Sequence, residues 1–132
     1  LYVYLEQANV LVVGDAAAPH RDPELAWFEG GWLGGRVDAL AKLLTIGNDA
    51  TRIVAGFGAS VTRAELAAEH EALDALFTRM SEAMRKGHST EDMQNADILS
   101  GLSRKWTNPD KFVYDAHKGM WAHHNKLSHQ VV

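Results

Sequence analysis

The sequence predicts an α/β fold (α+β in its layout): a β-hairpin, a helix, a strand and a long helix in succession, then a C-terminal helical tail. Three observations carry that expectation. Four consecutive β-favouring apolar residues, Val10, Leu11, Val12 and Val13, read as a strand buried on both faces. Apolar residues at Val37, Leu40, Ala41 and Leu44 recur with a helical period, and a short apolar run (Arg52, Ile53, Val54, Ala55) follows. A strand, a helix and a strand in that order predict parallel pairing of the two strands. Finally, Thr62-x-x-Glu65 is a capping box opening a long helical pattern.

Each element has its own local signal. Leu1, Val3 and Leu5 fall on one face of an N-terminal strand and Tyr2 and Tyr4 on the other, with Gln7, Ala8 and Asn9 as the hairpin turn. Both faces are apolar, so both need covering, and a chain that starts inside a strand is expected to have had a neighbouring strand before it. The first helix is expected over residues 36–46, stopped by Gly47 and Asn48. The strand after it ends in Ala55-Gly56-Phe57-Gly58, where two glycines predict a tight turn. The long helix should run to about Lys86, with a buried stripe of Leu66, His70, Leu73, Phe77, Met80 and Met84, and Gly87 as its stop. Ser89 and Asp92 cap a shorter helix expected to reach Leu99. Trp106-Thr107-Asn108-Pro109 is a turn, and residues 112–124 form a helical stretch dense in aromatics and histidine.

Composition narrows the function classes. At 132 residues the chain holds one domain at most, and its 46 % apolar content argues against disorder. A net charge of −4 gives no reason to expect nucleic acid or an anionic membrane as partner. There is no cysteine, which removes disulfides and thiolate metal ligands from consideration. No apolar run approaches a membrane span and no secretory signal is visible, so a cytoplasmic protein is expected. The first residue is leucine rather than methionine, which reads as a chain trimmed from a longer one. Neither a Ser-His-Asp order, a phosphate loop nor a dinucleotide fingerprint is present.

The residues with the most chemistry gather around the first core strand. Gly14 ends it and Asp15 follows at once. A carboxylate at the tip of a buried strand is costly without a partner; it either caps the next turn or binds a metal ion. His20, between Pro19 and Pro23, is a solvated loop histidine, a substrate contact or a substitute ligand. Trp27, Phe28 and Trp32 surround Gly30-Gly31 and either wall an apolar pocket or pack the loop on the core. In the tail, His117, His123 and His124 with Asp115 suggest a metal cluster. Asp115 and His117 point to different sides of a helix, however, which favours an amphipathic docking helix.

The ordered set Gly14-Asp15, Glu29-Gly30-Gly31-Trp32, a helix, and a strand ending Ala55-Gly56-Phe57-Gly58 before Thr62-Arg63-Ala64-Glu65 resembles the C-terminal half of the metallo-β-lactamase-fold metallohydrolases. The resemblance covers residues 1–87 and implies one half of an αββα sandwich, with residues 88–132 as a helical extension packed on it. It implies that Asp15 is a metal-bridging ligand, that the metal is zinc (two ions in most of the family), and that Trp32 shapes a substrate pocket. His20 is a candidate contact in that pocket, and Phe57 is a core or rim aromatic of its turn or a residue that narrows the pocket. Two departures qualify this. The motif His-x-His-x-Asp-His is missing from the sequence, and in the family it lies upstream. The last histidine ligand aligns with Phe57, and phenylalanine cannot ligate.

Two functions follow from the resemblance. One is part of a metal-dependent hydrolase of small molecules (esters, lactones, lactams or thioesters) that needs the upstream half to complete its metal site. The other is a non-catalytic binding module on a degenerate scaffold. Half of a two-sheet sandwich leaves a sheet face bare, so a partner is expected: a complementary N-terminal half or a second copy meeting it through the sheet.

Overall fold

In the computed structural model, residues 1–56 and 59–130 are described, with side chains through residue 124. The element order is β1 (Val3–Leu5), β2 (Val10–Gly14), a 3-10 turn at Trp27–Glu29, α1 (Leu33–Leu43), β3 (Arg52–Ala55), β4 (Ser60–Val61), α2 (Arg63–Arg85), α3 (Thr90–Asn95) and α4 (Pro109–Gln130). This is an α/β protein. Among the described residues the strands form one mixed sheet in the order β1-β2-β3-β4.

The expected hairpin and crossover are both present. β1 pairs antiparallel with β2 in the register Val3↔Val12, Tyr4↔Leu11 and Leu5↔Val10. Asn9 closes the turn between them at φ 54°, a left-handed conformation that asparagine tolerates. β2 and β3 run parallel, joined through α1. β4, two residues long and unforeseen from the sequence, pairs antiparallel with β3. So short a strand has no periodicity of its own and exists only through its partner.

The sheet has one covered and one open face. Leu11, Val13, Ile53 and Val61 are at most 2 % exposed, on the face turned to the helices. Partners in register share a face, so Val3, Leu5, Val10, Val12 and Val54 line the other. Val3, Leu5 and Val12 are 50 %, 49 % and 37 % exposed. The expectation that β2 is buried on both faces is therefore corrected: no described element covers this side.

The helices depart from expectation mainly at their ends. α1 begins at Leu33, ahead of the expected residue 36, because Trp32 supplies an extended N-cap and its ring lies against the first turn. α2 carries the capping box as read: Thr62 Oγ1 accepts from the Glu65 N–H at 3.0 Å, and Glu65 Oε1 accepts from the Thr62 N–H at 3.2 Å. Its buried stripe is Leu66, Glu69, Ala72, Leu73, Leu76 and Met80, so Glu69 rather than His70 faces inward. α3 has the expected Ser89–Asp92 capping box but stops at Asn95, well short of Leu99. From α4, Phe112, Val113, Ala116 and Met120 enter the same core cluster as the sheet and α1. Phe112 is the docked aromatic of this helix; Tyr114 and Trp121 are exposed. Among the described residues no helix is long and apolar enough to cross a membrane.

Candidate functional site

Parallel pairing sets the C-terminal ends of β2 and β3 side by side, with Gly14 opposite Ala55. The crevice beyond such strand ends is where α/β sheets hold ligands. The register shifts between Val12 and Gly14, a bulge that bends the end of β2. Gly14 follows at φ +58°, which favours glycine and turns the next residue out of the strand.

Asp15 stands at that turn. Its Oδ1 accepts a hydrogen bond from Arg21 Nη2 at 2.9 Å, and its backbone carbonyl accepts one from Arg36 Nη2 at 2.7 Å. Gly56, just past β3, lies beneath the carboxylate: a Cβ at position 56 would collide with Asp15 Oδ1. The Asp15 and Arg21 side chains are 80 % and 47 % exposed. An ion pair so open to water contributes about 1 kcal/mol or less, so a stronger partner for Asp15 displaces Arg21 at small cost.

Beside this pair is a cavity of about 200 Å³, walled largely by Ala17, Ala18, Ala55 and Ala59. His20 and Arg21 are its polar lining. The His20 side chain is 70 % exposed and its Nε2 is 2.5 Å from Glu65 Oε2. The Thr62 N–H holds the Glu65 carboxyl below the usual range, helped by the Thr62 hydroxyl and His20.

Trp32 is placed elsewhere. Its ring stacks on His123 of α4 at 3.7 Å between centroids and meets Phe77 of α2 edge-on at 5.8 Å. It ties three helices together and does not line the cavity beside Asp15. Phe57 lies outside the described residues. The structure thus brings His20 to the Asp15 end of the sheet and sets Trp32 at the helix junction.

Sequence reasoning missed the charged residues beneath the loop. Glu69 is 3 % exposed, and both of its carboxylate oxygens accept from the Ala18 N–H at 3.0 Å. Burial pushes its carboxyl up, opposed by the Ala18 N–H, Arg36 and Arg104. Burial also works against the charges of Arg36 and Arg104, with Glu69 the leading opposing influence on each. The available signal was a glutamate one position from His70 of the predicted apolar stripe, directly after Ala67 and Ala68.

The chemistry of these donors does not by itself fit a metal ion. Arg21 and Arg36, the side chains bonded to Asp15, have no lone pair to give. His20 is engaged by Glu65. Among the described residues, no three histidine, aspartate or glutamate side chains are grouped to hold an ion. The tail histidines have separate surroundings. His117 is half-buried, and burial lowers its pKa against a hydrogen bond to the His88 backbone. His123 lies flat on Trp32, and His124 is exposed beside Met84 and Met120. A comparison with protein-family models gives no match, and no curated protein sequence matches the chain.

Proposed function

We propose that this chain forms the C-terminal half of a metal-dependent hydrolase on the metallo-β-lactamase scaffold, acting on a small ester, lactone, lactam or thioester. One observation carries the reading: Asp15, from the Gly-Asp end of one strand, stands over Gly56, from the glycine-flanked end of the parallel neighbour. The order of motifs in the sequence asks for this juxtaposition, since in the resembling family those strand ends supply adjacent corners of one site. Zinc is the metal the resemblance implies. Asp15 is the one ligand that the resemblance carries over to this chain, so the remaining ligands are assigned to a complementary N-terminal half.

The bare sheet face supports the same reading. Val3, Leu5 and Val12 offer a continuous apolar surface on the side away from the helices, and such surfaces mark interaction sites. The second sheet of the sandwich is the occupant assigned to it here.

A second reading, a non-catalytic binding module, is favoured by the Arg21–Asp15 pair, which places a cation's charge on the carboxylate without a metal. Zinc content and intact mass of the protein purified with its companions separate the two. Stoichiometric zinc with a second polypeptide, the zinc lost in Asp15→Ala, supports the hydrolase. A metal-free chain with no companion overturns it and leaves the binding module.

A further inference from the structure

We propose that Arg104 is a positioning residue which, with Glu69 and Asp22, straps residues 15–22 in place, making the segment after α3 part of the site. The proposal rests on reading residues 15–22 as the site loop.

The strap grips one residue, Ala18, from both sides, through the two peptide groups that flank it. The Ala18 N–H donates to Glu69, 51 positions away on α2. The Ala18 carbonyl accepts from Arg104 Nη2 at 3.1 Å, and the same nitrogen donates to the Arg21 carbonyl. Arg104 Nη1 and Glu69 Oε1 face each other at 3.6 Å, with side chains 4 % and 1 % exposed. The Arg104 guanidinium lies 4.6 Å over the Trp106 ring, which packs on Phe112 of α4. Downstream, the two Asp22 carboxylate oxygens accept from the Thr107 and Asn108 N–H groups at 2.9 and 2.8 Å, at the start of α4.

The distribution of these bonds identifies their role. Arg104 Nη1 meets Glu69 Oε1 only at 3.6 Å, whereas Nη2 donates to two loop carbonyls, so the closer bonds of the pair go to the loop rather than to each other. Glu69 likewise gives both oxygens to the loop N–H. Buried pairs add little net stability over apolar packing, and their better-attested use is to select one conformation. Here the selected conformation is the path from Asp15 to Asp22, which sets Arg21 on Asp15.

Hydrogen exchange on the full chain tests this, with Arg104→Met, Arg104→Lys and Asp22→Asn compared with the parent. Arg104→Met should speed exchange of the amides in residues 16–22 by about tenfold while core amides of β2, α1 and α2 stay within about twofold. Arg104→Lys, with a single donor head, should restore part of the protection. Asp22→Asn should speed the loop about threefold and decides the matter if Arg104→Met does not fold. Acceleration spread evenly over loop and core, or an unchanged loop, overturns the proposal. Zinc content is a separate measurement, so failure of the hydrolase reading leaves the exchange result standing.

Discussion

The Asp15 carboxylate occupies the space that a side chain at position 56 would need, so Gly56 and Asp15 form one structural unit across the ends of two parallel strands. Arg21 Nη2 would lie 3.2 Å from the same added carbon, so the ion pair and the glycine share one pocket of space.

Gly56→Ala should therefore displace the Asp15 carboxylate and cost about 1 kcal/mol or less, because that exposed side chain swings aside and forfeits only its pair with Arg21. Asp15→Ala should cost less than about 1 kcal/mol, because its pair is exposed. Combined, the two should be less destabilising than their sum, since removing the carboxylate relieves the clash. Urea unfolding of the two single variants and the double variant checks this, and strict additivity would separate Gly56 from Asp15.

Glu69 should imprint a falling slope on stability against pH. Burial raises its folded pKa above the ordinary 4.5, so the folded state holds the proton more tightly than the unfolded chain. The associated stabilisation is complete below about pH 4.5 and is lost as pH rises through the folded value. Glu69→Gln keeps an acceptor for the Ala18 N–H and lacks this slope, so its stability relative to the parent should improve across that window. Glu65 and Asp92 are shifted the other way and lose stability as pH falls. His117, whose pKa is lowered from 6.5, also loses stability as pH falls. The difference between variant and parent, measured by denaturant unfolding from about pH 4 to 8, isolates Glu69 from these opposing groups.

The bare sheet face should matter for association and little for the chain itself. Val12 is paired with Val3 and is 37 % exposed. Val12→Lys should change the stability of the isolated chain by no more than about 0.5 kcal/mol. It should weaken binding of the complementary half by tenfold or more, about 1.4 kcal/mol. Light scattering and titration calorimetry report the two effects separately, and unaltered affinity would place the partner elsewhere.

Trp32 should act on helix packing. Its ring fills the space beside α1 that a Cβ at position 34 would enter at 2.5 Å, and it carries His123 on its face. Trp32→Ala should cost about 3 kcal/mol and loosen α4 first, seen as faster amide exchange along that helix with β2 and β3 protected. A variant with parent-like exchange in α4 would remove Trp32 from that role.

What the sequence made legible was local in origin. β2, β3 and the capping boxes at Thr62 and Ser89 each follow from a few adjacent residues, and their chemistry leaves little choice. The inward face of α2 was harder, because a period near 3.6 residues brings Glu69 and His70 almost equally close to the apolar stripe. Arg36 and Arg104 were illegible as site residues, since their partners at Asp15, Ala18 and Arg21 include backbone carbonyls up to 86 positions away. A carbonyl belongs to every residue type and leaves no mark in a sequence.

The amino-acid order alone determined the succession of strands and helices and put an acidic residue at the tip of the first core strand, because hydrophobic period and capping act over a turn or two. Tertiary structure alone decided which charges gather beneath that residue and which sheet face stays open. Both depend on distant segments meeting, and the hydrogen bonds and contacts that settle them form only once the chain has closed on itself.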